Sequence, residues 1–177
     1  WDRRIRNGTA DIAQGPAMRR EDCVRALLAG AQVAAEGKAR GASILAAGEM
    51  GIGNTTTTAA VACALLGGSP EAWVGRGAGL SGEGLRRKRA AVQAALAVNR
   101  PDPKDPVDVL GKVGGLDIAA LCGFYLGCAA ERVPVLLDGA ISAAAALCAV
   151  RLCPAARGAL LASHVSAEPV GRPLLEA

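Results

Sequence analysis

Gly48-Glu49-Met50-Gly51-Ile52-Gly53-Asn54-Thr55-Thr56-Thr57 stands between an apolar run, residues 42–47, and the alanine-rich stretch 59–66. The order is strand, glycine turn, helix. Glycines let the backbone turn tightly and approach a ligand closely. The threonines open the helix, whose free N–H groups and positive dipole end are suited to a phosphate. Gly48, four residues, Gly53, one residue, Thr55 is the spacing of a Walker A loop, but Asn54 stands where the nucleotide-binding lysine belongs. Without that cation, and with Glu49 adding negative charge, a nucleoside triphosphate is disfavoured. A monophosphate beside an orienting carboxylate fits the segment better.

Strand, glycine turn and helix recur along the chain. Residues 133–137 read as a second strand ending at Asp138-Gly139, and 159–162 as a third ending at Ser163-His164. Residues 1–18 read as irregular. Between the strands, helical spacing predicts segments 19–38, where Val24, Leu27, Leu28, Ala31 and Ala35 repeat as an apolar face, and 83–99. Shorter or longer helices are expected at 105–113, at 117–132 with Asp117 as its cap, and at 142–152, with 72–79 as a loop. The alternation predicts a single α/β domain over residues 1–177: three-layer, Rossmann-like, with a mostly parallel sheet and crossover helices on both faces. Ligands of such sheets sit beyond the carboxyl ends of the strands, so Glu49, Asp138 and Ser163-His164 are expected on one edge.

Composition narrows the function classes. Four aromatic residues in 177 leave no stacking platform for single-stranded nucleic acid. The net charge of +4 is spread over 20 basic and 16 acidic residues and supports no polyanion surface. Arg86-Arg87-Lys88-Arg89, the densest basic run, reads mostly as a solvated helix face. The six cysteines form no Cys-x-x-Cys pair and read as small buried hydrophobes, and with one histidine no metal site is expected. The charged opening, Trp1 to Arg6, has no apolar core of a secretory signal, and the apolar stretches are too interrupted to span a bilayer. A cytoplasmic protein without a membrane span is the expectation.

Further motifs share the order of a known family. Gly8-Thr9-Ala10, Gly15-Pro16-Ala17-Met18, the glycine turn, Val74-Gly75-Arg76-Gly77-Ala78-Gly79-Leu80, Lys112 to Leu121, Pro134-Val135-Leu136-Leu137-Asp138-Gly139 and Ser163-His164-Val165-Ser166-Ala167-Glu168-Pro169 cover nearly the whole chain. Together they closely resemble nicotinate-nucleotide:dimethylbenzimidazole phosphoribosyltransferase. The resemblance implies exchange of nicotinate in nicotinate mononucleotide for 5,6-dimethylbenzimidazole, giving the α-ribazole 5′-phosphate of the cobalamin nucleotide loop. It implies a homodimer, small-molecule substrates and no cofactor. By the same resemblance the chain lacks an N-terminal and a C-terminal portion. The latter holds the family's presumed base, a glutamate in a Gly-Glu-Gly-Thr segment, so slow turnover is expected of these residues alone. A non-catalytic nucleotide- or base-binding remnant is the alternative, in keeping with Val170-Gly171-Arg172 where the family continues Gly-His.

The site expectations follow. The backbone about Gly51, Gly53, Asn54, Thr55 and Gly77, with Lys88 matching the family's phosphate lysine, would hold the phosphate. Glu49, Asp138 and Ser166 would orient ribose and base. Glu49 is placed either to hold a ribose hydroxyl or to substitute as proton acceptor, and Asp138 either to bind sugar hydroxyls or to cap the next helix. The resemblance assigns His164 to shaping the site rather than to proton transfer.

Overall fold

The computed structural model describes residues 2–177. Three short parallel strands lie side by side in chain order: β1, Leu45–Ala46; β2, Val135–Leu137; and β3, Leu160–Ala162. Leu45 pairs with Val135 and Val135 with Leu160, while the next register joins Ala46, Leu136 and Leu161. The fold is α/β with a small parallel sheet. The first strand is shorter than the apolar run 42–47 implied.

Among the described residues, eight α-helices surround it: α1 (Arg20–Ala39), α2 (Asn54–Leu66), α3 (Pro70–Trp73), α4 (Gly82–Asn99), α5 (Pro106–Val113), α6 (Leu116–Ala130), α7 (Gly139–Leu152) and α8 (Gly171–Glu176). A 3-10 helix, Pro154–Ala159, leads into β3. Alternation along each strand sorts the sheet's two faces. Val135 and Leu137 are buried, whereas Leu136 and Leu161 point the other way and are exposed, Leu161 to 45%. The expected cover on both faces is therefore incomplete over these residues.

The core is built mainly from small side chains of α2, α6 and α7. Ala59 to Ala62 and Ala143 to Ala149 are buried almost completely, as expected of the apolar stretches in α6 and α7. The hydroxyls of Tyr125 and Ser142 bond to each other inside this core. Asp105 starts α5 by accepting hydrogen bonds from Val107 and Asp108 N–H, at 3.0 and 3.1 Å, as a carboxylate at that position should. The Arg20 guanidinium, 2.7 Å away, holds the Asp105 carboxyl below its ordinary range.

Several local expectations are corrected. The predicted apolar face of α1 is rotated: Cys23, Ala26, Gly30 and Ala34 are buried, while Val24 and Leu28 are 39% and 57% exposed. Close approach to α6 selects the small residues. Gly115, in extended backbone, takes the cap position of α6, and Asp117 lies inside the first turn. Helix α7 starts at Gly139, not Ser142, and Asp138 at its cap makes no side-chain capping bond. Pro70–Trp73 turns helically, overlapping the predicted loop, because Ser69 Oγ accepts from Ala72 N–H. Among the cysteines, Cys153 is exposed.

Candidate functional site

The glycine turn delivers Glu49 and α2 together. Gly53 occupies the left-handed region, φ 82°, where a side chain is disfavoured, and α2 begins at the next residue. Asn54 is buried, and its amide nitrogen is engaged by two carboxylates. It donates to Glu49 Oε2 and, at 2.9 Å, to Asp117 Oδ2. Glu49 Oε2 also accepts from Gly51 N–H at 3.0 Å. The residue in the Walker-lysine position thus holds two carboxylates in place, which accounts for its being an amide.

Helix α4 supplies the cation. Lys88 is only 7% exposed, although its neighbours Arg86 and Arg87 are solvated. Its ammonium donates to Thr55 Oγ1 at 2.8 Å and to the Gly75 carbonyl at 3.0 Å. Arg89 departs from the expected solvated face, since its Nε is buried without a hydrogen-bond partner among the described residues. Gly77, at φ +55°, comes so close that a Cβ there would lie 2.9 Å from Thr55 Oγ1. The first turn of α2, Lys88 and Gly77 are therefore one cluster. Burial pushes the Lys88 ammonium below the ordinary lysine value of 10.5, and the negative charge of Glu168 opposes that shift.

Glu168 closes the cluster. Its Oε1 accepts from Gly77 N–H at 2.9 Å, and Gly75 must lack a side chain because a Cβ would fall 2.2 Å from Oε2. The Gly77 N–H expected for a phosphate is engaged by this carboxylate. Ser166 supports the same loop, its Oγ accepting from Glu168 N–H at 3.3 Å.

At the strand ends, Asp138 is exposed beside Gly48, with Oδ2 4.0 Å from where an alanine Cβ would stand. Its N–H bonds to Ser142 Oγ at 2.9 Å. Ser163 Oγ donates to the Leu137 carbonyl, tying the end of β3 to that of β2. His164 Nδ1 lies 2.9 Å from Ser163 Oγ, and its Nε2 approaches Gly139. Glu49, Asp138 and Ser163-His164 thus share one edge of the sheet, as the strand order required.

An open cleft of about 430 Å³ runs along the glycine turn, lined among others by Thr9, Asp11, Gly51, Asn54, Thr57 and Asp117. Beside this cleft, the start of α2 carries a buried cation with the Glu168 carboxylate behind it, and the glycine turn carries the Glu49 and Asp117 carboxylates. That polarity matches a phosphate ester whose remainder carries hydroxyl groups or positive charge. Two participants escaped the sequence reading. Glu168 lies within the Ser-His motif with no role assigned by the sequence, and Asp117 is expected as a helix cap. The signal lies in the remote glycines that make room for each carboxylate, Gly75 for Glu168 and Gly51 for Asp117, but the hydrogen bonds concerned span 91 and 63 residues of chain.

A family model described as phosphoribosyltransferase matches residues 1–177. Nicotinate-nucleotide–dimethylbenzimidazole phosphoribosyltransferase of Ruminiclostridium cellulolyticum is 48% identical over 176 residues, covering 99% of this chain and 50% of its own length. The protein of that name from Acetivibrio thermocellus is 50% identical over 175 residues, with the same coverage. The crystal structure of CobT from Thermus thermophilus superposes with a TM-score of 0.94 at 50% identity, over 99% of this chain and 53% of that one. The chain spans about half the length of the curated relatives it matches.

Proposed function

Because the chain belongs to the phosphoribosyltransferase family, whose model spans residues 1–177, we propose that its site binds nicotinate mononucleotide and serves transfer of the phosphoribosyl group to 5,6-dimethylbenzimidazole. The observation that carries this reading is the convergence of Lys88, Thr55 and Gly77 at the start of α2, beside the Glu49 and Asp117 carboxylates. The 5′-phosphate lies against the α2 N-terminus and Lys88. Glu49 and Asp138 hold the ribose, and Ser166 keeps the Glu168 loop in place. Binding energy from the phosphate positions C1′.

In the reaction, a benzimidazole nitrogen attacks C1′ from the face opposite nicotinate. The C1′–nitrogen bond to nicotinate breaks, its electron pair neutralises the pyridinium, and the azole proton passes to a base. Inversion gives α-ribazole 5′-phosphate. Carboxylates near C1′ stabilise the positive charge that develops on the ribose. No organic cofactor or metal takes part. We place the three-stranded sheet in a three-layer, Rossmann-like core of a single cytoplasmic domain that works as a homodimer with small-molecule substrates. Among the described residues, no helix is long and apolar enough to cross a membrane.

These 177 residues contain no Gly-Glu-Gly-Thr segment, the position of the presumed base. A positioned general base is worth about 10²–10⁴ in rate, and these 177 residues span about half the length of the relatives. Chromatographic assay of α-ribazole 5′-phosphate from nicotinate mononucleotide and dimethylbenzimidazole is expected to show product at a rate lower by about that factor than a full-length relative. Turnover equal to the relative's would transfer the base role to Glu49. Absence of both product and nucleotide binding in a folded chain would favour the non-catalytic remnant.

A further inference from the structure

The geometry points to Asp117 as the positioning residue that fixes Glu49 through the Asn54 amide. Asp117 projects from the first turn of α6, an element remote in sequence from the glycine turn. Its Oδ2 accepts the Asn54 amide at 2.9 Å, and the same nitrogen donates to Glu49 Oε2. An amide nitrogen carries two hydrogens, so each carboxylate takes one and the amide cannot rotate without losing both. Asp117 Oδ1 is held in turn by Ile118 N–H at 2.9 Å.

Two glycines from separate loops make room for this carboxylate. A Cβ on Gly51 would fall 2.3 Å from Asp117 Oδ2, and one on Gly115 would fall 2.4 Å from Oδ1. Asp117 therefore sits in a fitted slot between the glycine turn and the Gly114-Gly115 break. Helix α6 is anchored in the core through Ile118, Ala119 and Cys122, so the chain Asp117, Asn54, Glu49 transmits a rigid element's position to a carboxylate on a turn. Bringing two carboxylates to one amide costs electrostatic energy in folding. A capping role alone does not account for that cost, since Gly115 holds the cap position.

The inference rests on the nucleotide reading for its functional part only, and the experiment separates the two. In a ¹⁵N-labelled chain, Asp117→Ala is expected to shift the Asn54 side-chain amide signals and reduce their protection from exchange, with no ligand present. In calorimetric titrations it weakens nicotinate mononucleotide by about tenfold, the loss of one charge-assisted hydrogen bond. Inorganic phosphate, which does not reach Glu49, binds within about twofold of the unmodified chain. Asp117→Asn, whose carbonyl oxygen still accepts from Asn54, restores most of the affinity. In a Glu49→Ala background, Asp117→Ala adds almost nothing, the non-additivity of groups acting as a unit. Unchanged Asn54 signals, a fully additive effect in the Glu49→Ala background, or an equal loss for inorganic phosphate would each overturn the inference. If the unmodified chain binds no nucleotide, the nucleotide reading fails while the Asn54 signals still decide whether Asp117 holds the amide.

Discussion

Gly123→Ala is expected to remove a large part of the chain's stability. Helices α1 and α6 meet backbone to backbone: a Cβ at Gly123 would lie 1.8 Å from the Leu27 carbonyl oxygen, and one at Gly30 would lie 1.8 Å from that of Ala120. Both carbonyls belong to helices and cannot withdraw without breaking main-chain hydrogen bonds. Relief requires the helices to separate, which opens space along Cys23, Ala26, Ala34 and Cys122. Overpacking typically costs about 1–3 kcal/mol, and a rigid backbone obstacle places this case above that range. Against a total stability of about 5–15 kcal/mol, that is a large share. Urea unfolding followed by circular dichroism measures it. Gly158→Ala, where a Cβ meets nothing within 4 Å, is the matched control and should change stability by less than about 0.5 kcal/mol. A loss below about 1 kcal/mol for Gly123→Ala would show that the helices can part cheaply.

Lys88→Met is expected to abolish useful nucleotide affinity while leaving the fold intact. The side chain keeps its length, and removing a desolvated ammonium relieves a folding cost. Its partner on binding, a phosphate at the α2 N-terminus, is left without its cation in a buried setting. Truncation of one member of a buried charged pair costs about 2–5 kcal/mol, so the dissociation constant should rise by at least about thirtyfold. Equilibrium dialysis with labelled nicotinate mononucleotide reads the change. Arg87→Met, on the same helix but solvated beside Glu83, should have little effect. The sign of the pH dependence follows from burial. Lys88 deprotonates below the ordinary value of 10.5, so affinity of the unmodified chain should fall as pH rises toward that region, and the Lys88→Met variant should lack this limb. Equal effects of the two substitutions would mean that the phosphate is held elsewhere.

The parts of the fold legible in the sequence were those governed by local pattern. The strand, glycine turn and helix at residues 42–66, the cap at Asp105 and the shared edge of Glu49, Asp138 and His164 follow from short-range chemistry and from the rule for parallel sheets. The packing face of α1 was not legible. Periodicity alone favours the larger Val24 and Leu28, whereas the contact with α6 is decided by how closely two backbones approach, and that selects Gly30 and Ala34. The roles of Asp117 and Glu168 were hidden for a related reason. A carboxylate two residues after a glycine pair resembles a helix cap, and one before a proline resembles a loop end. Only the fold shows that each enters a slot left by a glycine remote in sequence, Gly51 for Asp117 and Gly75 for Glu168. Only the family resemblance singles out Lys88 among three arginines in the sequence. Its burial beside Thr55 supplies the physical distinction that composition lacked.

The central claim is that the start of α2 with Lys88 forms a phosphate site for a mononucleotide. Its most direct test is a pair of calorimetric titrations of the folded chain, with nicotinate mononucleotide and with nicotinate riboside, which differ only in the 5′-phosphate. Saturable binding of the mononucleotide, with the riboside weaker by at least about tenfold, is the predicted result. Equal affinities, or no binding of the mononucleotide by a chain shown to be folded, would contradict it.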